Sequence, residues 1–403
     1  MEISKQENFS LWFFVMAVVI CLSTISGIYK LPSFIYVIVI FLFFIGYVAT
    51  NVNKLRVNCR LTGLFLLVCF VSVIINNPPS YFRSWERLFL FSLVVVSFSP
   101  LFISQMLVSA RLKLFEAIMR VLLVFSVATF FAYFLGINYF ERLGEQLDME
   151  VIGHFSGFFC HSMVLGPLAA ICTIYCFIHF LLCKIKRGKV IWAFFSIACF
   201  SSCAFSASRS SVGGVFLGGM MVIFQYCRIF KKKIRKYLAI LLAVGTIASP
   251  VLMMILSGVM IKNSGNLANG GILYSRDEVF AARIIEIQEN LLTGVGFASV
   301  DPNYSNVDKD TGTVEPGSSW LAVFSMTGVV GFLLFLIVYI KCLIVAMNRV
   351  LDERLSLILS GILVFWGVHM LFEGYVLAAG NFLCGLYWLT LGVIDAKSRE
   401  SIF

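Results

Sequence analysis

Apolar residues run along this chain in long stretches separated by mostly short polar ones. Twelve such stretches are legible, at about 9–29, 33–50, 61–76, 88–103, 114–136, 162–182, 190–207, 211–227, 237–260, 318–343, 355–374 and 378–395. A helix of about 20 apolar residues crosses the hydrocarbon core of a bilayer. Lipid offers no partner to a free backbone N–H or C=O, so each run must close its own hydrogen bonds, and the two-residue alternation of a barrel strand is missing. The pattern predicts an all-α polytopic membrane protein, with residues 1–403 forming a single integral membrane domain of about twelve transmembrane helices. The first run is long and lacks a small-x-small cleavage site, so it reads as a retained signal anchor.

One polar connection stands apart. Residues 261–317, between the ninth and tenth runs, form a large loop of the kind that carries function in a compact bundle. Within it, Ser275-Arg276-Asp277-Glu278 has capping-box spacing and predicts a short amphipathic helix through Val279, Phe280, Arg283, Ile284 and Ile287 toward Leu291, lying along the membrane face. In Leu291-Leu292-Thr293-Gly294-Val295-Gly296-Phe297, two glycines permit a tight turn. No strand precedes them, which excludes a dinucleotide-binding reading. Residues 301–313 read as a flexible, acidic lid or a disordered connection, and Glu315-Pro316-Gly317-Ser318-Ser319-Trp320 leads into the tenth run. There, Thr327-Gly328-Val329-Val330-Gly331 allows close helix packing.

Composition agrees with the pattern: 60% apolar and 13% charged residues, with a mean hydropathy of +0.95, exclude an ordinary soluble domain. The charges set the orientation, because Lys and Arg collect on the cytoplasmic side. With both termini cytoplasmic, 22 of the 31 basic residues lie inside and 14 of the 21 acidic residues lie outside, together with the large loop. The net charge of +10 then expresses topology and calls for no nucleic-acid partner. The cluster from Arg228 to Lys236 reads as an anchor beside anionic lipid. Cys172 and Cys176, like Cys199 and Cys203, share a helix face but have no His or carboxylate at ligand spacing, so they read as packing and no metal is assigned. The large loop holds no cysteine, so no disulfide orders it.

Against this background a few charges carry candidate chemistry. Arg209, in Ser206-Ala207-Ser208-Arg209-Ser210-Ser211, stands between two apolar runs at the outer face. An arginine near a helix centre costs roughly 2.5–3.5 kcal/mol on insertion scales, so one kept at this junction points to an anion. Arg83 and Arg87 precede the fourth run one helical turn apart and can face one phosphate. His154 and His161 flank another outer connection, while His179 and His369 lie inside runs and read as structural. Glu373, near the outer end of the eleventh run, calls for a cavity or a cation.

The order of these parts resembles the O-antigen polymerase and ligase superfamily of bacterial surface-polysaccharide enzymes. The resemblance is carried by Gly157-Phe158-Phe159-Cys160-His161-Ser162-Met163-Val164-Leu165-Gly166, by Ser208-Arg209-Ser210, and by the sequence from Arg283 through Leu292-Thr293-Gly294-Val295-Gly296-Phe297 to Ser319-Trp320-Leu321 and Met326-Thr327-Gly328-Val329-Val330-Gly331. It implies glycosyl transfer at the periplasmic face of the bacterial inner membrane, with glycans carried on undecaprenyl pyrophosphate as donor and acceptor. A chain-length regulator and a flippase are the implied protein partners. By the same resemblance Arg209 and Arg283 take the pyrophosphate; the position of Arg87 and Arg276 on outer connections makes one or the other the expected assistant. Such a transfer requires no cofactor: a hydroxyl attacks the anomeric carbon, and guanidinium groups stabilise the departing diphosphate. The base that takes the hydroxyl proton is Glu315 or His161. The ligases of the superfamily open a His-Asn-x-x-Leu motif where Gly317 stands here, which favours a polymerase over a ligase. A flippase or transporter is the alternative of another class, for which charges lining mid-membrane helices and internal repeats are expected.

Overall fold

The computed structural model describes residues 2–25, 31–138, 155–157, 160–247, 249–268, 271, 276–305, 307, 309–310, 312, 314–348 and 352–397. Every apolar run forms helix. The first eight give α1 (Glu2–Thr24), α2 (Ser33–Tyr47), α3 (Arg60–Asn76), α4 (Ser84–Phe98), α5 (Gln105–Phe134), α6 (Ser162–Leu182), α7 (Lys186–Phe205) and α8 (Arg209–Ile229). The ninth becomes three successive helices, α9 (Ile234–Ile247), α10 (Ser249–Ile255) and α11 (Ser257–Ala268). After these come α12 (Asp277–Glu289), α13 (Ser319–Met347), α14 (Glu353–His369) and α15 (Phe382–Lys397). The fold is all-α, and its strands among the described residues are Arg56–Val57 and Phe102–Ile103, which pair antiparallel. Among the described residues, six helical segments are long and apolar enough to cross a membrane: Ser33–Lys54, Gln105–Phe134, Ser162–Leu182, Lys186–Phe205, Arg209–Ile229 and Ser319–Met347. Others are shorter than the sequence pattern suggests, and α14 ends at His369, which leaves Glu373 in the connection beyond it. The large loop likewise begins later than residue 261, because α11 runs on to Ala268.

Packing is built on small residues and on aromatic rings. Helices α8 and α14 approach closely where Gly218 lies against the Gly361 carbonyl, and Phe365 covers Gly214. Trp366 and Trp388 are fully buried, with Phe65, Phe91, Phe335 and Tyr387 around Trp388. Cys172, Cys176, Cys199 and Cys203 are buried where α6 meets α7. Buried Arg111 closes the end of α4: its Nε donates to the Ser97 carbonyl at 2.9 Å and its Nη1 to that of Phe102 at 3.0 Å. Carbonyls of a last helical turn have no intrahelical donor, so this arginine supplies one where water is excluded.

The long connection is docked rather than free. Helix α13 breaks at Gly328, where φ is +67° and ψ −175°. Residues 291–295 lie in the break. Val329 N donates to the Leu291 carbonyl at 2.9 Å, Val295 N donates to that of Ser325 at 2.8 Å, and the Ser72 hydroxyl of α3 donates to that of Met326 at 2.7 Å. Backbone groups released by the kink are thereby satisfied by the loop and by α3, the condition for irregular backbone among apolar helices. Gly312, within the stretch expected as a flexible lid or disordered connection, is also docked: it lies against Tyr81 and accepts from Arg87 Nη2 at 2.9 Å.

A Cβ at residue 328 would collide with the Leu292 carbonyl and would need a backbone conformation that L side chains rarely adopt. Gly328→Ala should therefore cost about 3 kcal/mol. Gly219→Ala, where a Cβ meets open space, should change stability by less than about 1 kcal/mol. Thermal unfolding of the two variants in detergent compares them.

Candidate functional site

The site is assembled from three connections at the end of the bundle where α14 terminates. The first is the turn between α7 and α8. Ala207 takes φ +53° there, and Gly166 of α6 leaves room for Ser206, Ser208 and Ser211, so the start of α6 lies beside this turn. Arg209 opens α8, and its Nη1 donates to Asn263 Oδ1 of α11 at 3.1 Å. The second is the approach to α12, where Arg276 precedes the first helical residue. The third is the irregular stretch after α14. Ser319 holds it, with its N–H and its hydroxyl both donating to the Glu373 carbonyl, at 3.0 and 2.7 Å.

Arg276 and Glu373 meet at the centre. Arg276 Nη2 donates to Glu373 Oε1 at 2.6 Å, Nη1 donates to the Gly317 carbonyl at 3.0 Å, and Glu315 Oε1 is 3.9 Å from Nη1. The Arg276 and Glu373 side chains are 16% and 20% exposed, whereas Glu315 is 66% exposed, so the first pair is held and the second carboxylate is open to solvent. Lys262 of α11 completes the group. Burial lowers its proton affinity, the charges of Arg209 and Arg276 lower it further, and Glu373 opposes them. Burial raises the Glu373 carboxyl, and with Arg276 lowering it, Glu315 raising it and Lys262 lowering it the balance stands at about 7. Three cations, Arg209, Lys262 and Arg276, thus share one electrostatic neighbourhood with two carboxylates.

The remaining predicted residues lie elsewhere or face otherwise. Arg283 is turned into the protein and is fully buried. Its Nη1 donates to Glu286 Oε2 at 2.9 Å and to Ser325 Oγ at 3.2 Å, while Nε and Nη2 have no hydrogen-bond partner among the described residues. Glu286 Oε1 in turn accepts from Asp301 N at 2.8 Å. This pair ties α12 to the break in α13 and to the following loop, and its buried face is the charged one, with Ile284 outward. Arg87 holds Gly312, with Arg83 and Glu86 as its charged neighbours. His161 caps α6, its Nδ1 accepting from Met163 N at 3.1 Å, and is exposed. His154 and Ser275 lie outside the described residues. His369 is buried, with Nδ1 3.2 Å from the Tyr375 hydroxyl.

Lys262 and Asn263 are the residues that reading the sequence missed. A usable signal was present: like Arg209, Lys262 follows an apolar run directly.

A cavity of about 230 Å³ opens at the other end of α14, between Glu116, Tyr175 and Arg354. It shares no residue with the cation cluster, and its Arg354–Glu116 pair, at 3.6 Å, is already neutralised. The cluster is the better site because, among the described residues, it brings three cations together with one buried acid beside two of them.

No family model and no curated protein matches this chain. Fold and composition together define an all-α membrane protein with a cationic cluster at one end of its helices.

The buried Arg283–Glu286 pair gives a test separate from the cluster. Glu286→Ala leaves a buried guanidinium without its counter-ion and should cost about 3–5 kcal/mol. The apolar pair Arg283→Met with Glu286→Leu should recover most of that loss, as measured by thermal unfolding.

Proposed function

We propose that the chain is a bacterial surface-polysaccharide polymerase, joining oligosaccharide repeat units carried on undecaprenyl pyrophosphate at the periplasmic face of the inner membrane. One observation carries this reading: Arg209, Lys262 and Arg276, from three separate parts of the chain, lie within electrostatic reach of one another, with Glu373 beside Arg276 and Lys262. Three cations so placed repel one another, and an anion relieves that cost. A diphosphate matches it best, since planar guanidinium groups bind phosphate oxygens in pairs and Lys262 adds a compact charge. Both arginines stand at helix starts, α8 and α12, where the helix dipole also favours an anion.

In this proposal Arg276 takes the place that resemblance assigns to Arg283, because Arg283 is engaged inside the protein by Glu286. The reaction follows from charge. The acceptor hydroxyl oxygen bonds to the anomeric carbon of the donor glycan while the bond from that carbon to the diphosphate breaks. The leaving diphosphate gains negative charge as it departs, and Arg209, Lys262 and Arg276 stabilise it. In this proposal Glu315, exposed beside Arg276, takes the hydroxyl proton from an acceptor arriving from solvent. His161 is the less suited base, since its Nδ1 already caps a helix.

Gly317 favours polymerase over ligase. Its φ is +66°, Val279 and Phe280 crowd the position a Cβ would take, and its carbonyl receives Arg276. The side chain expected there of a ligase has no room.

Purified protein supplied with synthetic lipid-pyrophosphate repeat units, without nucleotide or added metal, should produce a glycan ladder. Arg209→Ala and Arg276→Ala should each lower the rate of ladder formation at least about a hundredfold while the protein stays in the membrane fraction. Ladders of normal rate from both variants would remove the assignment.

A further inference from the structure

Arg276 is not vacant in this structure: the carboxylate of Glu373 lies 2.6 Å from its Nη2. An incoming phosphate oxygen needs the same guanidinium edge, so the two anions compete. Charge accounting sharpens the conflict. Among the described groups around Glu373 and Lys262, Arg209, Lys262 and Arg276 supply three positive charges against Glu373 and Glu315. A diphosphate joined to two organic groups carries two negative charges, one on each phosphate. Seating it with both carboxylates ionised leaves the cluster net negative, and one proton restores neutrality.

Only one of the carboxylates is built for that proton. Glu315 is two-thirds exposed, so water stabilises its charge, whereas the Glu373 side chain is four-fifths buried and its backbone is pinned by Ser319. The charged and titratable groups around Glu373 come from every adjoining part of the chain. They are Lys262 on α11, with Arg209 of α8 beside it, Arg276 before α12, Glu315 before α13, and Tyr375 on its own stretch.

On the reading of this cluster as a diphosphate site, we propose that Glu373 is its internal counter-ion: it neutralises Arg276 while the site is empty, and it releases Arg276 and takes up one proton from solvent when a diphosphate is seated. No covalent bond changes in this step; one ion pair breaks, one forms, and one proton is bound. The proton-bound form is therefore the binding-competent one. Its share is high below pH 7, near the free carboxyl's titration point, and falls as the pH rises. Discharge after each transfer restores the original pair, so a departing diphosphate is displaced by the protein's own carboxylate.

The test uses full-length protein in nanodiscs and inorganic pyrophosphate as the probe, with wild type and Glu373→Gln compared by calorimetry. Glutamine mimics the protonated carboxyl. At about pH 8 the variant should bind about tenfold more tightly than wild type, and between about pH 6 and pH 8 wild type should lose about tenfold more affinity than the variant does. That comparison cancels the probe's own titration. On wild-type protein alone, calorimetry in buffers of different ionisation enthalpy should show one extra proton, about, taken up per pyrophosphate bound at pH 8 relative to the probe's own contribution. Equal affinities and parallel pH profiles in the two proteins, or binding to wild type without that proton, would overturn the counter-ion role and leave the diphosphate site standing. No pyrophosphate binding to either protein would overturn both.

Discussion

The charged end of this molecule depends on a break in a helix. Where α13 opens at Gly328, it gives up hydrogen bonds of its own and takes replacements from Leu291, Val295 and Ser72. Among apolar helices such an exchange is the condition for holding irregular chain at all, since each unmet backbone group there costs free energy comparable to a lost hydrogen bond. The exchange pins residues 291–295. The Arg283–Glu286 pair and Ser325 then pin α12, and Arg276, directly before α12, is delivered to Glu373 and Gly317. The candidate chemistry is thus held by backbone satisfaction some way from it, and the loop that carries it behaves as part of the bundle.

Two buried arginines show how context decides what a charge does. Arg111 closes the carbonyl end of α4, and Arg283 is neutralised by Glu286; each has a fixed structural partner inside the protein. At the cluster the balance runs the other way: three cations are brought together beside a single buried carboxylate, with the second carboxylate open to water. Excess positive charge kept near low-dielectric surroundings is costly, and its cost is offset when an anion arrives. This imbalance separates a binding arrangement from a structural ion pair more sharply than the presence of arginine does.

Much of the fold was legible in the sequence because apolar run length is a strong physical signal. All twelve runs became helix, and the two glycine-bearing segments, Gly294-Val295-Gly296 and Thr327-Gly328-Val329-Val330-Gly331, were the places of close backbone approach. Run length was a poorer guide to span number, since α14 stops at His369, short of its run, α15 begins only at Phe382, inside its run, and the irregular chain 370–381 joins them. Arg209 was legible as an anion candidate because a charge at such a junction needs a reason. Arg283 was singled out over Arg276 by resemblance, and amphipathic spacing gave no sign that α12 turns its charged Arg283 and Glu286 inward and Ile284 outward. Lys262 stayed hidden because α11 extends beyond the apolar run, which placed it in an apparent loop.

The central claim is that Arg209 and Arg276 hold one and the same diphosphate, and a double-mutant cycle on pyrophosphate affinity tests it most directly. Arg209→Ala, Arg276→Ala and the double variant are compared with the unaltered protein. Two groups on a shared ligand are coupled, so the combined loss should depart from the product of the single losses by at least about tenfold, or about 1.4 kcal/mol. Losses that simply multiply, or single variants that bind as the unaltered protein does, would contradict the account.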